Sequence, residues 1–180
     1  MNTKNFAALL CSPDGIALPA STLAVGGYVG LARNDEPMEW SHNLVSNEGL
    51  ADLLSVYLAG GTPATAWYVA PWANNVTPGA AWTAANFDAT AGEFTGYDEA
   101  NRPVWTPGEV ADQTISSILN AATFTINTAG TIYGAALVSA QAKQATTGKL
   151  FSAFRFANSR TFEAGDTMSI AYFVQAQSNA

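Results

Sequence analysis

The chain has 180 residues, of which 48% are hydrophobic and only 12% charged, with a formal net charge of −7. A composition this apolar excludes a disordered chain, and an acidic field repels a phosphate backbone, so no nucleic-acid partner is expected. One cysteine, Cys11, and one histidine, His42, exclude an intrachain disulfide and a zinc site of four Cys/His ligands, and leave His42 as the sole histidine for any nucleophile–base pair.

Residues 1–22 read as an extended N-terminal arm. Pro13, Gly15 and Pro19, with the Ser12-Pro13-Asp14-Gly15 turn, interrupt any regular element. The arm nevertheless carries Phe6, Leu9, Leu10, Ile16 and Leu18, apolar surface that calls for a cover, either the chain's own sheet or a neighbouring subunit. Its apolar patch, Phe6 to Leu10, is too short for a secretory leader and lacks a small-residue cleavage site, so a soluble protein without a leader is expected.

Residues 23–180 read as one β-rich domain. Tyr28–Arg33 is a candidate strand. Asn43 to Leu58 then places Leu50, Leu53, Leu54, Tyr57 and Leu58 at helical spacing. Ser46 or Asn47 suits its N-cap, Glu48 its first turn, and Gly60-Gly61 with Pro63 its end, which predicts a helix over about 46–59 with that face buried. Further strands are expected over Ala64–Ala70, Val104–Thr106, Thr123–Asn127, Thr131–Ser139, Leu150–Phe156 and Thr167–Gln177. Inward positions are Phe124 and Ile126 in one, and Met168, Ile170, Tyr172 and Val174 in the last. Asn127–Gly130 and Ala164-Gly165-Asp166 read as tight connections, and the Asn-, Thr-, Pro- and Gly-rich stretch between Trp72 and Trp105 as long loops. The long uncharged stretches are broken by Gly, Pro and Asn and predict no membrane span. The pattern predicts a mostly β protein, a jelly-roll-like antiparallel β-sandwich with one inserted helix.

Candidate chemistry is sparse. Asp35, Glu36 and Glu39, and the pair Asp98-Glu99, read as loop acids rather than a glycosidase pair. His42 sits at the helix entry, and Cys11 reads as a small hydrophobe. Gly26, Gly27 and Gly30 do not make a dinucleotide fingerprint. No catalytic residue, metal ligand or cofactor is expected. Trp67, Tyr68, Trp72 and Trp82 cluster within sixteen residues, as core fillers, interface anchors or a sugar platform. Candidate interface residues are therefore Trp72 and Trp82 together with the five apolar residues of the arm. The charge is also polarised: twelve acids and three bases precede residue 113, and two acids and four bases follow. Such a division suits ordered stacking on a partner.

The order of short motifs adds a family likeness. Asn43-Leu44-Val45 and Glu48-Gly49-Leu50 are followed by Trp67-Tyr68-Val69, Phe94-Thr95-Gly96-Tyr97 and Asn101-Arg102-Pro103-Val104-Trp105. Phe124-Thr125-Ile126-Asn127, Thr131-Ile132-Tyr133-Gly134, Gly148-Lys149-Leu150-Phe151-Ser152 and Gly165-Asp166 complete the series. Over about residues 43–177 this order resembles that of small virion structural proteins of tailed bacteriophages, the group that includes head decoration (cement) proteins. The resemblance implies a jelly-roll-like β domain without catalysis or cofactor, present in symmetric copies on a capsid. Its implied partners are the major capsid protein and other copies of itself. The alternative expectation is a tail-associated or receptor-binding virion protein that uses the Trp-rich loops on a glycan.

Overall fold

The structure is a computed structural model that describes the backbone of residues 10–11, 17–18 and 22–179 and the side chains of 23–178. Within the arm, β1 (Leu10–Cys11) pairs antiparallel with β2 (Ala17–Leu18). Phe6, Leu9 and Ile16 lie outside the described residues, as do the side chains of Leu10 and Leu18.

Period-two alternation builds the first sheet. β3 (Thr22–Arg33) pairs with β11 (Thr167–Asn179) along its whole length, from Thr22 opposite Asn179 to Arg33 opposite Met168. The inward positions anticipated for β11, Met168, Ile170, Tyr172 and Val174, are all buried. β4 (Glu39–His42) flanks β3. The other edge of β11 is shared by β7 (Thr114–Ser116) and β8 (Ala122–Thr125). The second sheet runs in the order β5 (Leu44–Val45), β10 (Leu150–Phe162), β9 (Gly130–Val138), β6 (Tyr68–Trp72), and every pairing is antiparallel.

The two sheets form a β-sandwich. Val29, Leu31, Ile170 and Tyr172 of the first sheet meet Ile132, Leu137, Phe154 and Phe156 of the second in one buried cluster. Phe154 and Tyr172 cross the interface edge to face, with centroids 5.2 Å apart. The residues expected to form a hairpin at Asn127–Gly130 instead carry the chain from one sheet to the other. β8 pairs with β11, whereas β9 pairs with β10 and β6. Val104 contributes an isolated bridge to Tyr68 rather than a strand.

A second helix, α2 (Ala84–Ala91), lies where long loops were expected, so the sandwich carries two helices. Its start is held by the Thr83 N–H, which donates to Asn86 Oδ1 at 2.8 Å, and its end by left-handed Gly92. Phe87, Ala84 and Ala91 press onto Trp72, Ala136, Val138 and Leu150, the outer face of the second sheet. That sheet is therefore buried on both faces, which is why Gly134 to Val138 is continuously buried rather than alternating.

The first helix, α1 (Asn47–Leu58), is fastened only by its first turn. Ser46 Oγ accepts from Gly49 N at 2.9 Å and donates to Leu150 O at 2.6 Å. Glu48 Oε2 accepts from Leu150 N at 2.7 Å and Ala84 N at 2.8 Å, tying the helix to β10 and α2 together. Gly49 lies so close to β10 that a Cβ there would stand 2.2 Å from the Phe151 carbonyl oxygen. Beyond that turn Leu53 and Val56 are half-buried, and the rest of the apolar face is open. Leu54 is 54% exposed, Tyr57 78% and Leu58 81%, which corrects the expectation that this face is core. The physical reason is that the two sheets fill the core and α2 already covers the second sheet. Helical periodicity finds an apolar face but not what covers it.

Candidate functional site: an apolar cleft beside the first helix

Three segments converge at one end of the sandwich. α1 contributes Leu53, Val56 and Tyr57, and the chain beyond it contributes Ala64 and Trp67. The sheets contribute Val25, Val174 and Ala176 from the β3–β11 pair and Ile115 from β7. Between them lies a cleft of about 610 Å³. Trp67 packs edge to face on Phe151 at 5.7 Å, and Trp105 N donates to Trp67 O at 2.7 Å, which holds the two tryptophans side by side along the cleft. The Trp105 indole N–H is buried without a hydrogen-bond partner.

The cleft opens onto the exposed side chains of α1. Val110, also in its lining, is exposed as well. On the adjoining turn Ile118 is exposed and Leu119 is 91% so; these two share Thr114 with the cleft through a smaller depression. Among the described residues, the one charged side chain in the lining is that of Asp52, while Glu109 lines the smaller depression. Among the described residues, the lining contains no Lys or Arg. Exposed apolar side chains grouped around one cleft are the kind of surface that interaction sites present.

A second constellation is internal. Arg102 grips Glu93 with Nε to Oε1 at 2.8 Å and Nη2 to Oε2 at 2.6 Å, and Gln144 N donates to Glu93 Oε2 at 2.7 Å. Lys143 Nζ stands 3.6 Å over the Tyr97 ring and donates to Tyr97 O at 2.8 Å. Burial, and secondarily the Glu93 charge, holds the Tyr97 phenol well above its usual range, while desolvation pushes the Lys143 ammonium down. These charges are engaged with one another and with backbone carbonyls. They tie the loop of residues 93–105 to that of residues 139–149.

The remaining residues singled out from sequence fall into structural roles. Trp72 is fully buried and Trp82 nearly so, with ring centroids 5.5 Å apart beneath α2, which corrects their placement as interface residues. Glu36 and Glu39 both pair with Arg160. Asp98 accepts from Asn127 Nδ2, and Glu99 accepts from Thr125 N. His42 is exposed and packs against Tyr28, with ring centroids 4.4 Å apart and the planes tilted by 41°. Among the described residues no three His, Cys, Asp or Glu side chains gather as a metal site, and no helix is long and apolar enough to cross a membrane. Sequence reasoning missed Val110, Ile118 and Leu119. The one available signal was the Ile118-Leu119 pair set between turn-forming Ser117 and Asn120.

No family model matches the chain, and a search of curated proteins returns no match.

Proposed function

We propose that this is a non-enzymatic structural protein of a bacteriophage virion, a decoration protein that binds the shell of major capsid protein in many symmetric copies. The motif order supports the phage assignment, and one observation carries the mode of action. A helix with an apolar outer face is anchored by its first turn and turned away from an already filled core, beside an apolar cleft. Burying a side chain such as Leu54 or Leu58 against a partner contributes about 1.5–3 kcal/mol. Modest contacts of this kind, repeated around a closed shell, add up to firm attachment. The tail-associated glycan reading drew on Trp72 and Trp82 as a platform, and both rings lie in the core.

The test is reconstitution on particles that lack the protein. Wild-type chain saturates the shell, whereas Tyr57→Glu with Leu58→Glu, which leaves every core contact in place, binds at least tenfold more weakly. Undiminished binding by that variant would remove α1 from the attachment surface. Absence of binding by the wild type would remove the decoration assignment.

A further inference from the structure

We infer that the outer face of the first sheet binds a neutral saccharide, which stacks on Tyr28 and Trp40. The inference goes beyond the attachment reading above and does not rest on it. Neither residue lines the cleft beside α1.

Strand register gathers four rings on this face. Tyr28 stands opposite His42 on β4 and Phe173 on β11, and Trp40 stands opposite Gly30, the next outward position of β3. Val29 and Leu31, which alternate with these positions, belong to the core between the sheets. Tyr28 packs against His42 with centroids 4.4 Å apart, and against Phe173 at 6.2 Å. A Cβ at Gly30 would stand 3.1 Å from both Cη2 and Cζ3 of the Trp40 indole and 2.9 Å from Met38 Sδ. The missing side chain thus lets the indole rest directly on the sheet. Tyr28 is nevertheless 42% exposed and Trp40 41%. Rings braced by their neighbours while open to solvent bind with little cost of ordering.

The rest of the face is uncharged. The solvated face of an antiparallel sheet ordinarily turns polar side chains outward. Here those on β11 include Ser169 and Gln175, and those on the flanking strands are Ser116 and Thr123. Among the described residues, no Asp, Glu, Lys or Arg holds an outward position on β3, β4, β7, β8 or β11.

That combination matches the chemistry of a sugar. A pyranose has an apolar C–H face, which an aromatic ring covers, and a rim of hydroxyls, which neutral amides and hydroxyls satisfy in both donor and acceptor roles. Successive outward positions on a strand lie about 7 Å apart, so neighbouring units of one oligosaccharide reach Tyr28 and Trp40 together. An anionic glycan finds no counter-charge at these positions, and a protein partner finds no charges to set its register. The outer face of the second sheet cannot serve in the same way, because α2 covers it and buries Trp72.

Native electrophoresis of the purified full chain tests the inference. Gels are cast with dextran, galactomannan or xyloglucan as neutral probes, and with polygalacturonate as the charged one. The expected result is retardation by at least one neutral polysaccharide and none by polygalacturonate. Tyr28→Ala and Trp40→Ala should each weaken that retardation at least tenfold, whereas Tyr57→Glu with Leu58→Glu should leave it unchanged. If Trp40→Ala loses the wild-type circular dichroism spectrum, Trp40→Leu replaces it, keeping an apolar cover over Gly30 without a flat ring. Migration unaffected by all three neutral polysaccharides would overturn the inference, as would retardation by polygalacturonate alone. Retardation that survives both ring variants would place the sugar elsewhere and overturn this face as its site. Self-association in sedimentation velocity that Tyr28→Ala abolishes, with no retardation in any gel, would make the face a contact between copies instead. No particle enters this experiment, so its failure and that of the attachment reading are separate results.

Discussion

Glu93 and Arg102 are joined by two parallel hydrogen bonds, and both side chains are almost completely withdrawn from solvent. A buried pair of this kind contributes little net stability when intact, because desolvation offsets the attraction, but removing one member strands the other. Glu93→Gln is expected to lower unfolding stability by about 3–5 kcal/mol. The double variant Glu93→Gln with Arg102→Met should cost clearly less than the sum of the two single changes. Chemical denaturation of the four proteins checks this, and strict additivity would show that the pair is not coupled.

The exposure of α1 reverses the usual expectation for leucine truncation in an amphipathic helix. Leu54→Ala should change stability by less than about 1 kcal/mol, because the side chain already contacts water. Phe87→Ala, on the shorter and less conspicuous α2, should cost about 3–5 kcal/mol, because that ring is fully buried against Trp72. Thermal midpoints of the two variants give the ranking, and a larger shift for Leu54→Ala would mean that α1 packs inward.

These contrasts show what a single sequence holds. Alternation along Thr167–Gln177 was sufficient to name Met168, Ile170, Tyr172 and Val174 as inward, because a strand's period of two leaves little choice once one face is buried. The existence and span of α1 were equally legible from spacing and caps. Its orientation was not, since burial depends on what else occupies the core, and α2 had taken the available face. α2 itself escaped notice because Ala84, Phe87 and Ala91 give only a faint apolar stripe over eight residues. The continuous burial of Gly134 to Val138 likewise reflects two covering layers, which no local pattern announces. The cleft is assembled from α1, β3, β7 and β11 and the segments around Trp67 and Trp105, and no local pattern shows that these come together.

The buried tyrosines set an alkaline limit. Burial raises the phenols of both Tyr97 and Tyr172 above the ordinary value of 10.0, in Tyr97 with the Glu93 charge as a second cause. A group whose folded pKa is raised contributes stability that is fully present below its unfolded value and is lost as pH rises above it. Stability should therefore be insensitive to these two groups up to about pH 10 and fall beyond it. In a phenolate absorbance titration, two of the six tyrosines should ionise only together with unfolding. Six independent titrations near the ordinary value would contradict the burial of both rings.

Gly134 reports on the placement of Trp72. The two residues are cross-strand partners, and Gly134 also lies opposite Arg155 on β10, so its backbone is enclosed on both sides. A Cβ at this position would stand 2.2 Å from the Phe154 carbonyl oxygen and 2.2 Å from Cζ2 of the Trp72 indole. Neither neighbour can yield cheaply, since one is main chain within the sheet and the other is a ring wedged against Trp82, Phe87 and Phe154. Gly134→Ala should therefore destabilise by at least the upper part of the usual overpacking range, about 1–3 kcal/mol. Adding Trp72→Phe should recover only part of the loss, because a smaller ring relieves the indole clash but not the one with the carbonyl. Denaturation midpoints measure both effects, and tryptophan emission gives an independent check, since buried Trp72 should contribute at short wavelength. If Gly134→Ala were tolerated, Trp72 would not occupy the notch that the missing side chain provides, and it would again be available as a surface residue for a glycan or a partner.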